Sequence, residues 1–455
     1  MLDKTISVRD TRPYSGYHNR PAPNTDQFIT QVMPGTPGGE YLRKYWHPFL
    51  LSSELKELPV PVRLLGEDLV VFRDKSSRLG LLHRHCVHRG SSLEFGIVAD
   101  RGIRCCYHGW HFDVDGTILD TPAEPETSKR KHNLTQGAYP VREWQGLIFA
   151  YMGPIEDLPE FPTYDCVDHP QDNEVVPFRM NMPCNWVQIV ENGSDPMHNA
   201  FLHAIVAGQQ FSPAFKVLPQ LDFPETPLGF LSMATRKVGD YVFVRSSDII
   251  LPNMGQFPNG GNKVDHESVG IRPFLTRWAV AVDDTHSFYI GFAHLNSYNK
   301  SVRKMTREDF GVDKIPFIGQ TDNRPYHERQ QEPGDFDAVV TQGPVANRNA
   351  EHLRTTDRGV VAFRRMLAQA IKDNEAGKAP VKPKIYDQGP VSTYAHEIVL
   401  KIPEGVDLSD SKKLSEFGHQ AALAFVEFDA LPPLEREKAV KEKVKTILES
   451  MASPC

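Results

Sequence analysis

From about Pro59 to Gly153 the chain alternates apolar and polar positions with a period near two, in runs rich in β-branched residues. The runs Val62–Phe72, Leu79–His83, Ile103–Phe112 and Leu147–Met152 read as strands, and Asp113-Val114-Asp115-Gly116 and Gln145-Gly146 as turns between them. This block predicts a small all-β unit. The Pro-rich stretch Gly153–Pro162 predicts a linker. Beyond it the period changes. Asn185–Val206 has helical spacing, with Trp186, Ile189 and Val190 on one side, and strands are expected at Tyr241–Ile250, Trp278–Val282 and Phe288–Phe292. Two late segments, Asp357–Asn374 and Pro432–Met451, have the spacing and charge of amphipathic helices. There is no internal repeat and no low-complexity tract. The fold class expected is α+β, a small β domain followed by a larger sheet domain flanked by helices.

Length supports that division, because 455 residues exceed one ordinary core. With 40% hydrophobic and 24% charged residues the chain reads as globular. A formal charge of −7 without a basic block argues against nucleic acid. No apolar run approaches the roughly 20 residues that span a bilayer, and Met1–Arg20 has no signal-peptide core. Six cysteines in a chain this long make no disulfide framework, so a reducing cytoplasm is the expected location.

Two of those cysteines belong to short metal-ligand pairs, Cys86-Val87-His88 and Cys105-Cys106-Tyr107-His108. Two thiolates and two imidazoles can hold a [2Fe–2S] cluster, with cysteines on one iron and histidines on the other. Such mixed ligation raises the reduction potential to roughly −150 to +300 mV. A structural zinc ion would accept the same donors. Two details favour iron–sulfur. Each pair supplies one Cys and one His, so two loops can face each other across the cluster. Each pair is also followed by a glycine, in Arg89-Gly90 and Gly109-Trp110, which lets backbone N–H groups approach the sulfides.

Cys86-Val87-His88-Arg89-Gly90 with Cys105-Cys106-Tyr107-His108-Gly109-Trp110-His111-Phe112 resembles the Rieske domain of the Rieske non-haem iron oxygenases. The resemblance implies Cys86, His88, Cys105 and His108 as cluster ligands. Spacing favours Cys105 over Cys106, which is then expected to be a packed thiol. The family also carries a mononuclear ferrous iron. His198 and His203, five apart, lie roughly 140° apart on a regular helix. They can share a metal only where the helix ends, bends or widens, and Gly193 and Pro196 lie just upstream. Two imidazoles and one carboxylate make a facial triad that leaves iron positions open.

Asp195-x2-His198-x4-His203 resembles the family's iron motif. The resemblance implies that Asp195 bridges the metal centres, bonding His198 and a cluster histidine, His108, of a neighbouring subunit in a homotrimer. The plainer role for Asp195 is a helix cap. Asp335, opening a helix seven residues before Gln342, fits the family's carboxylate ligand better than Asp337. Gly334 departs from the acidic or amide residue usual before it.

The resemblance runs from about Pro34 to Arg365. Pro34-Gly35-Thr36-Pro37-Gly38-Gly39, Trp278–Thr285 and Gln342-Gly343-Pro344-Val345 place the chain beside the phthalate 4,5-dioxygenase and dehydrodivanillate O-demethylase group. It implies a segment 1–45 on the catalytic domain, a Rieske domain at 46–155 and a catalytic domain of helix-grip type at 156–455. The activity implied is that of a terminal oxygenase acting on an aromatic compound, a carboxylic acid being expected, by ring hydroxylation or O-demethylation. Arg236 and Arg245 are the candidates to grip a carboxylate. Phe201, Ile205, Leu251, Met254 and Phe257 are candidate apolar walls, or simply core. With no nicotinamide fingerprint or flavin motif in the chain, electrons must come from a reductase, directly or through a ferredoxin. The competing class is a Rieske electron carrier without its own oxygenase site.

Overall fold

Three small antiparallel sheets build the β region. One joins Trp46–Leu51, Leu147–Tyr151 and Val141–Trp144, and a second joins Val60–Leu64, Glu67–Arg73 and Leu79–His83. The third joins Ile97–Val98, Ile103–Arg104, His111–Phe112 and Ile118–Asp120. The computed structural model describes residues 12–125, 133–167, 172–206, 210–261, 263–270, 272–302, 304–380 and 390–452. The polar start of the chain through residue 11 and Cys455 lie outside the described residues. Gln145-Gly146 makes the expected turn, with positive φ at both positions, as tight hairpins favour.

The larger unit is a ten-stranded antiparallel sheet. Its main path runs Glu174–Met182, Ser287–Leu295, Leu275–Ala281, Met254–Phe257, Tyr241–Ile250, Gly229–Val238, Gln220–Asp222, and His396–Lys401 adds to Tyr241–Ile250. Tyr241–Ile250 matches its expected limits, and the other two expected strands extend to Leu275–Ala281 and Ser287–Leu295.

Side-chain alternation gives the sheet two jobs. Ser232, Arg245, Ser247, Phe257 and Arg277 face a cavity on one side. Their neighbours Leu231, Met233, Val242 and Val244 face the other way, under the helices Ser411–Glu427 and Pro433–Ser450. Trp278 also points away from the cavity, into a ring cluster with Phe149, Tyr164 and Phe292 that joins the β region to the sheet. The expected linker contributes buried Phe161 to that cluster, against Trp46, Trp144 and Phe149, so it is packed rather than free.

On the cavity side, helix Trp186–Ser194 lies beside helix Arg358–Glu375, where Trp186 meets Phe363 edge to face. In the N-terminal segment, helix Pro37–Leu42 starts where Thr36 Oγ1 accepts the Gly39 N–H at 3.2 Å and Pro37 fills a first-turn position that needs no donor.

Candidate active site

The two Cys/His loops have one backbone design. The Cys86 carbonyl accepts the Gly90 N–H at 2.8 Å, and the Cys105 carbonyl accepts the Gly109 N–H at 3.1 Å. Each cysteine N–H donates just past its loop, to Ser91 O at 2.9 Å and Trp110 O at 2.8 Å. Both closing glycines have φ of +75°, a conformation that a β-carbon disfavours.

The paired turns bring all four side chains together. Cys86 and Cys105 are buried and in contact, and the His88 and His108 rings lie 4.7 Å apart. Burial pushes the Cys86 thiol up to about 11, and the His88 and Arg89 N–H groups act against that rise. N–H groups aimed at sulfur favour a thiolate, as a cluster ligand must be. Trp110 stacks on His88 at 4.6 Å with the planes 2° apart. Cys106 is exposed rather than packed, because its place in the turn points it outward.

The second site begins where helix Trp186–Ser194 stops. Asn185 caps its start by accepting the Val187 N–H at 3.1 Å, and Pro196 disfavours a helical Asp195, which is extended. Asp195 Oδ1 then accepts the Met197 N–H at 2.9 Å, so the residue also takes the plainer capping role. One α turn follows at His198–Phe201, and the chain widens into a π turn at Leu202–Val206. Hydrogen bonds from i to i+5 bring residues five apart onto one face. The His198 and His203 rings accordingly sit 5.3 Å apart.

Asp335, from the start of helix Asp335–Val340, completes the group. Its Oδ1 lies 3.1 Å from His203 Nε2 and 3.5 Å from His198 Nε2. The three ligand atoms all fall within 4.8 Å of one another. Each imidazole is oriented through its other nitrogen. His198 Nδ1–H donates to the Asp195 carbonyl, and His203 Nδ1–H donates to Gln210 Oε1 at 3.0 Å. Both Nε2 atoms therefore face the carboxylate, the arrangement a metal ligand needs. Burial works to raise Asp335, yet the imidazoles, His203 foremost, and Gln320 hold it well below the carboxylate range. Burial lowers His198, with His203 adding to the fall; for His203 burial is outweighed by Asp335, which raises it. A buried anion flanked by two imidazoles is a donor set that suits a divalent cation.

A cavity opens beside these residues. Phe211, Phe257, Phe274 and Phe317 wall it, with Ser232, Ser247 and Asn259 between them. Arg245 and Arg277 reach its wall, and both are buried. The Arg277 guanidinium lies between the Phe257 and Tyr289 rings, 3.9 and 3.7 Å from their centroids. Burial pushes it down to about 9 and lowers Arg245 as well.

Several sequence expectations need correction. Arg236 does not reach the cavity: fully buried, it donates Nε–H to Val217 O at 2.8 Å and packs on Phe215 and Phe243. Of the five expected walls, Phe257 alone lines the cavity. Leu251 and Met254 line a separate one with Trp46 and Trp278, and Phe201 at the end of the α turn and Ile205 in the π turn are each about half exposed. Asp337, the less favoured of the two aspartates, needs no such correction: it faces away, accepting from Arg324 at 3.0 Å, Arg329 at 2.6 Å and the Gly334 N–H at 3.0 Å. The Asp195 carboxylate is 3.9 Å from His198 Nδ1, whose proton goes to the Asp195 main chain instead. Arg277, Asn192 and Gln320 were not foreseen; the one usable signal was an arginine inside the apolar run Leu275–Ala281.

Residues 45–142 match the Rieske [2Fe-2S] domain family. Over 461 aligned residues the chain is 42% identical to the tert-butanol monooxygenase / tert-amyl alcohol desaturase oxygenase subunit of Aquincola tertiaricarbonis, covering 96% of this chain and 97% of that one. It belongs to the Rieske non-haem iron oxygenases. Two further members of the family are similar over most of their length. The phenoxybenzoate dioxygenase subunit alpha of Ectopseudomonas oleovorans is 37% identical, covering 83% of this chain and 92% of its own. The phthalate 4,5-dioxygenase oxygenase subunit of Pseudomonas putida is 31% identical, covering 79% and 88%.

As a Rieske oxygenase of the group expected, the chain carries a [2Fe–2S] cluster and a mononuclear iron and receives electrons from a partner. The electron-carrier alternative falls, because the likeness to oxygenase subunits extends through the catalytic domain. No helix among the described residues is long and apolar enough to cross a membrane.

Proposed function

We propose that this oxygenase hydroxylates an aromatic carboxylic acid, on the ring or on the methyl carbon of a methoxy group, which then leaves as formaldehyde while its oxygen stays on the ring as a phenol. In this reading Cys86, His88, Cys105 and His108 hold the cluster, and His198, His203 and Asp335 hold the iron. The observation that carries the substrate class is the pair of buried guanidiniums, Arg245 and Arg277, in the wall of the cavity beside the iron residues. Among the described residues lining that cavity, Asp335 is the one carboxylate. Buried Glu397, opposite Arg245 in the sheet, offsets the charge of Arg245, whereas Arg277 looks to Asp335, whose charge a metal would take. An incompletely paired buried cation is costly, and a guanidinium fork matches a carboxylate. Four phenyl rings complete the fit to an aromatic body.

The cluster supplies single electrons, and the iron the place where O2 is activated. The protein's share is placement. Arg245 is steadied by Pro258 O at 3.1 Å, and Arg277 by its two rings, so the acid group is held while the ring or methoxy carbon turns toward His198, His203 and Asp335. The surrounding phenylalanines keep bulk water from the reacting atoms. Asp195 is assigned the bridging role, its carboxylate accepting from a cluster histidine of a neighbouring copy in a homotrimer. Support comes from exposed apolar residues at both ends of that path, Val87 and Tyr107 beside the cluster and Phe201, Ile205 and Val206 beside the iron helix. A reductase, directly or through a ferredoxin, is the electron donor, in the cytoplasm.

A second reading rests on the Aquincola relative, whose name specifies tertiary alcohols. A turnover panel decides between them. Benzoates, phthalates, methoxybenzoates and tert-butanol are supplied with NADH and a compatible reductase, and O2 uptake, diol and formaldehyde are measured. Coupled O2 uptake is expected with an acid, and Arg277→Gln should raise the KM of that acid about 10- to 100-fold, as expected for a lost charged hydrogen bond. Uptake with tert-butanol alone would sink the aromatic-acid reading.

A further inference from the structure

The two oxygens of Asp335 have different neighbours. Oδ1 faces both imidazoles and lies 3.2 Å from Asn192 Nδ2. Oδ2 accepts a 2.7 Å hydrogen bond from Gln320 Nε2. Gln320 is 8% exposed, and its backbone is clamped to the aspartate's own. Gly319 and Gly334 lie back to back: a β-carbon on Gly319 would come within 2.4 Å of Gly334 Cα, and one on Gly334 equally close to Gly319 O. The Phe336 N–H donates to Gly319 O at 3.0 Å. Farther along the same loop, Arg324 donates to Asp337 at 3.0 Å and to Glu332 O at 2.8 Å. This clamp also explains the missing acidic or amide residue before Asp335: no side chain fits at Gly334.

We propose that Gln320 is a positioning residue that reserves Oδ2, so that Asp335 offers the iron one oxygen instead of two. A carboxylate free to use both oxygens would occupy a position that O2 or substrate needs, and three single-atom protein ligands leave the most positions open. The inference rests on the iron-ligand assignment above and adds a reason for the loop 319–324. Hydrogen bonds to a ligand carboxylate are a known lever on a metal's properties.

Gln320→Met keeps the length and removes the donor. Wild type and variant are loaded with excess ferrous ion and titrated with nitric oxide, and the adduct is read by EPR. Iron per chain and the cluster signal should match wild type, nitric-oxide affinity should fall, and the adduct signal should change shape. An unchanged signal and affinity would overturn the proposal. Loss of iron would also overturn it, since Gln320 would then govern affinity rather than the choice of oxygen. Gln320→Asn, too short to reach Oδ2, must reproduce the result; if neither variant accumulates with an intact cluster, the role is structural and the proposal fails. A wild-type protein that gives no nitric-oxide signal would sink the ligand assignment itself.

Discussion

The cluster site and the iron site are built by opposite means. The cluster's four candidate ligands come from two turns of the same backbone design, closed by Gly90 and Gly109 and separated by two short strands of one small sheet. The iron group needs a distorted helix for His198 and His203, and then Asp335, 132 residues beyond His203 in the chain. The first site is a property of local sequence. The second exists only once the large sheet has folded and brought helix Asp335–Val340 against the π turn. A site made of turns tolerates change elsewhere in the chain; a site made by convergence depends on every element that sets its geometry.

The most severe test is a pair of reciprocal lesions. Cys105→Ser should erase the cluster's EPR signal and leave iron at the second site, and His203→Ala should do the reverse. Loss of even an outer-shell partner typically costs 10- to 100-fold, so each ligand change should lower turnover by more than about 100-fold. Cys106→Ser should change neither metal nor turnover. A His203→Ala protein that also lost its cluster signal would show that the two sites are not independently assembled.

A smaller effect separates the two aspartates of the convergent site. Asp335→Asn should lose the mononuclear iron, and Asp337→Asn should keep it. Asp337 ties the Gly334 N–H, Arg324 and Arg329 together from a mostly buried position. Its replacement should therefore cost about 1–3 kcal/mol of stability, read as an earlier denaturant midpoint. If Asp337→Asn lost iron and Asp335→Asn kept it, the convergent site would have been drawn around the wrong residue.

The same contrast sets what could be seen in the chain beforehand. Cys86, His88, Cys105 and His108 are legible in the chain because each of the two turns that carry them is written in adjacent residues. Tyr241–Ile250 and the helices Arg358–Glu375 and Pro433–Ser450 were visible because their period survives in one dimension. Arg277 was not, since only the pairing of Leu275–Ala281 with Met254–Phe257 turns it toward the cavity and against Phe257. Phe201 and Ile205 misled for the converse reason. An ordinary helix leaves their side open to choice, whereas the α turn that passes into a π turn here leaves these two facing outward. Helix Ser411–Glu427 has no equally plain signal in the chain although it covers Leu231 and Val244, because its partner surface is assembled from strands distant in the chain.

The smallest predicted effect tests whether the two cluster turns are as equivalent as their backbones. Gly90 and Gly109 share a φ of +75°, so alanine at either carries the same left-handed strain, about 1 kcal/mol. Their surroundings differ. A β-carbon on Gly90 meets nothing within 4 Å, whereas one on Gly109 comes within 2.9 Å of Pro122 Cγ. Relief at Gly109 would have to move the 121–125 segment or the turn that carries His108. Gly109→Ala should therefore lose its cluster at a lower guanidinium concentration than Gly90→Ala, which itself falls slightly below wild type. Equal midpoints for the two variants would mean that Pro122 yields freely and that the turns are equivalent in energy as well as in shape. The expected order would instead place the rigidity of the cluster site in its second turn, the one closed by Gly109 against Pro122.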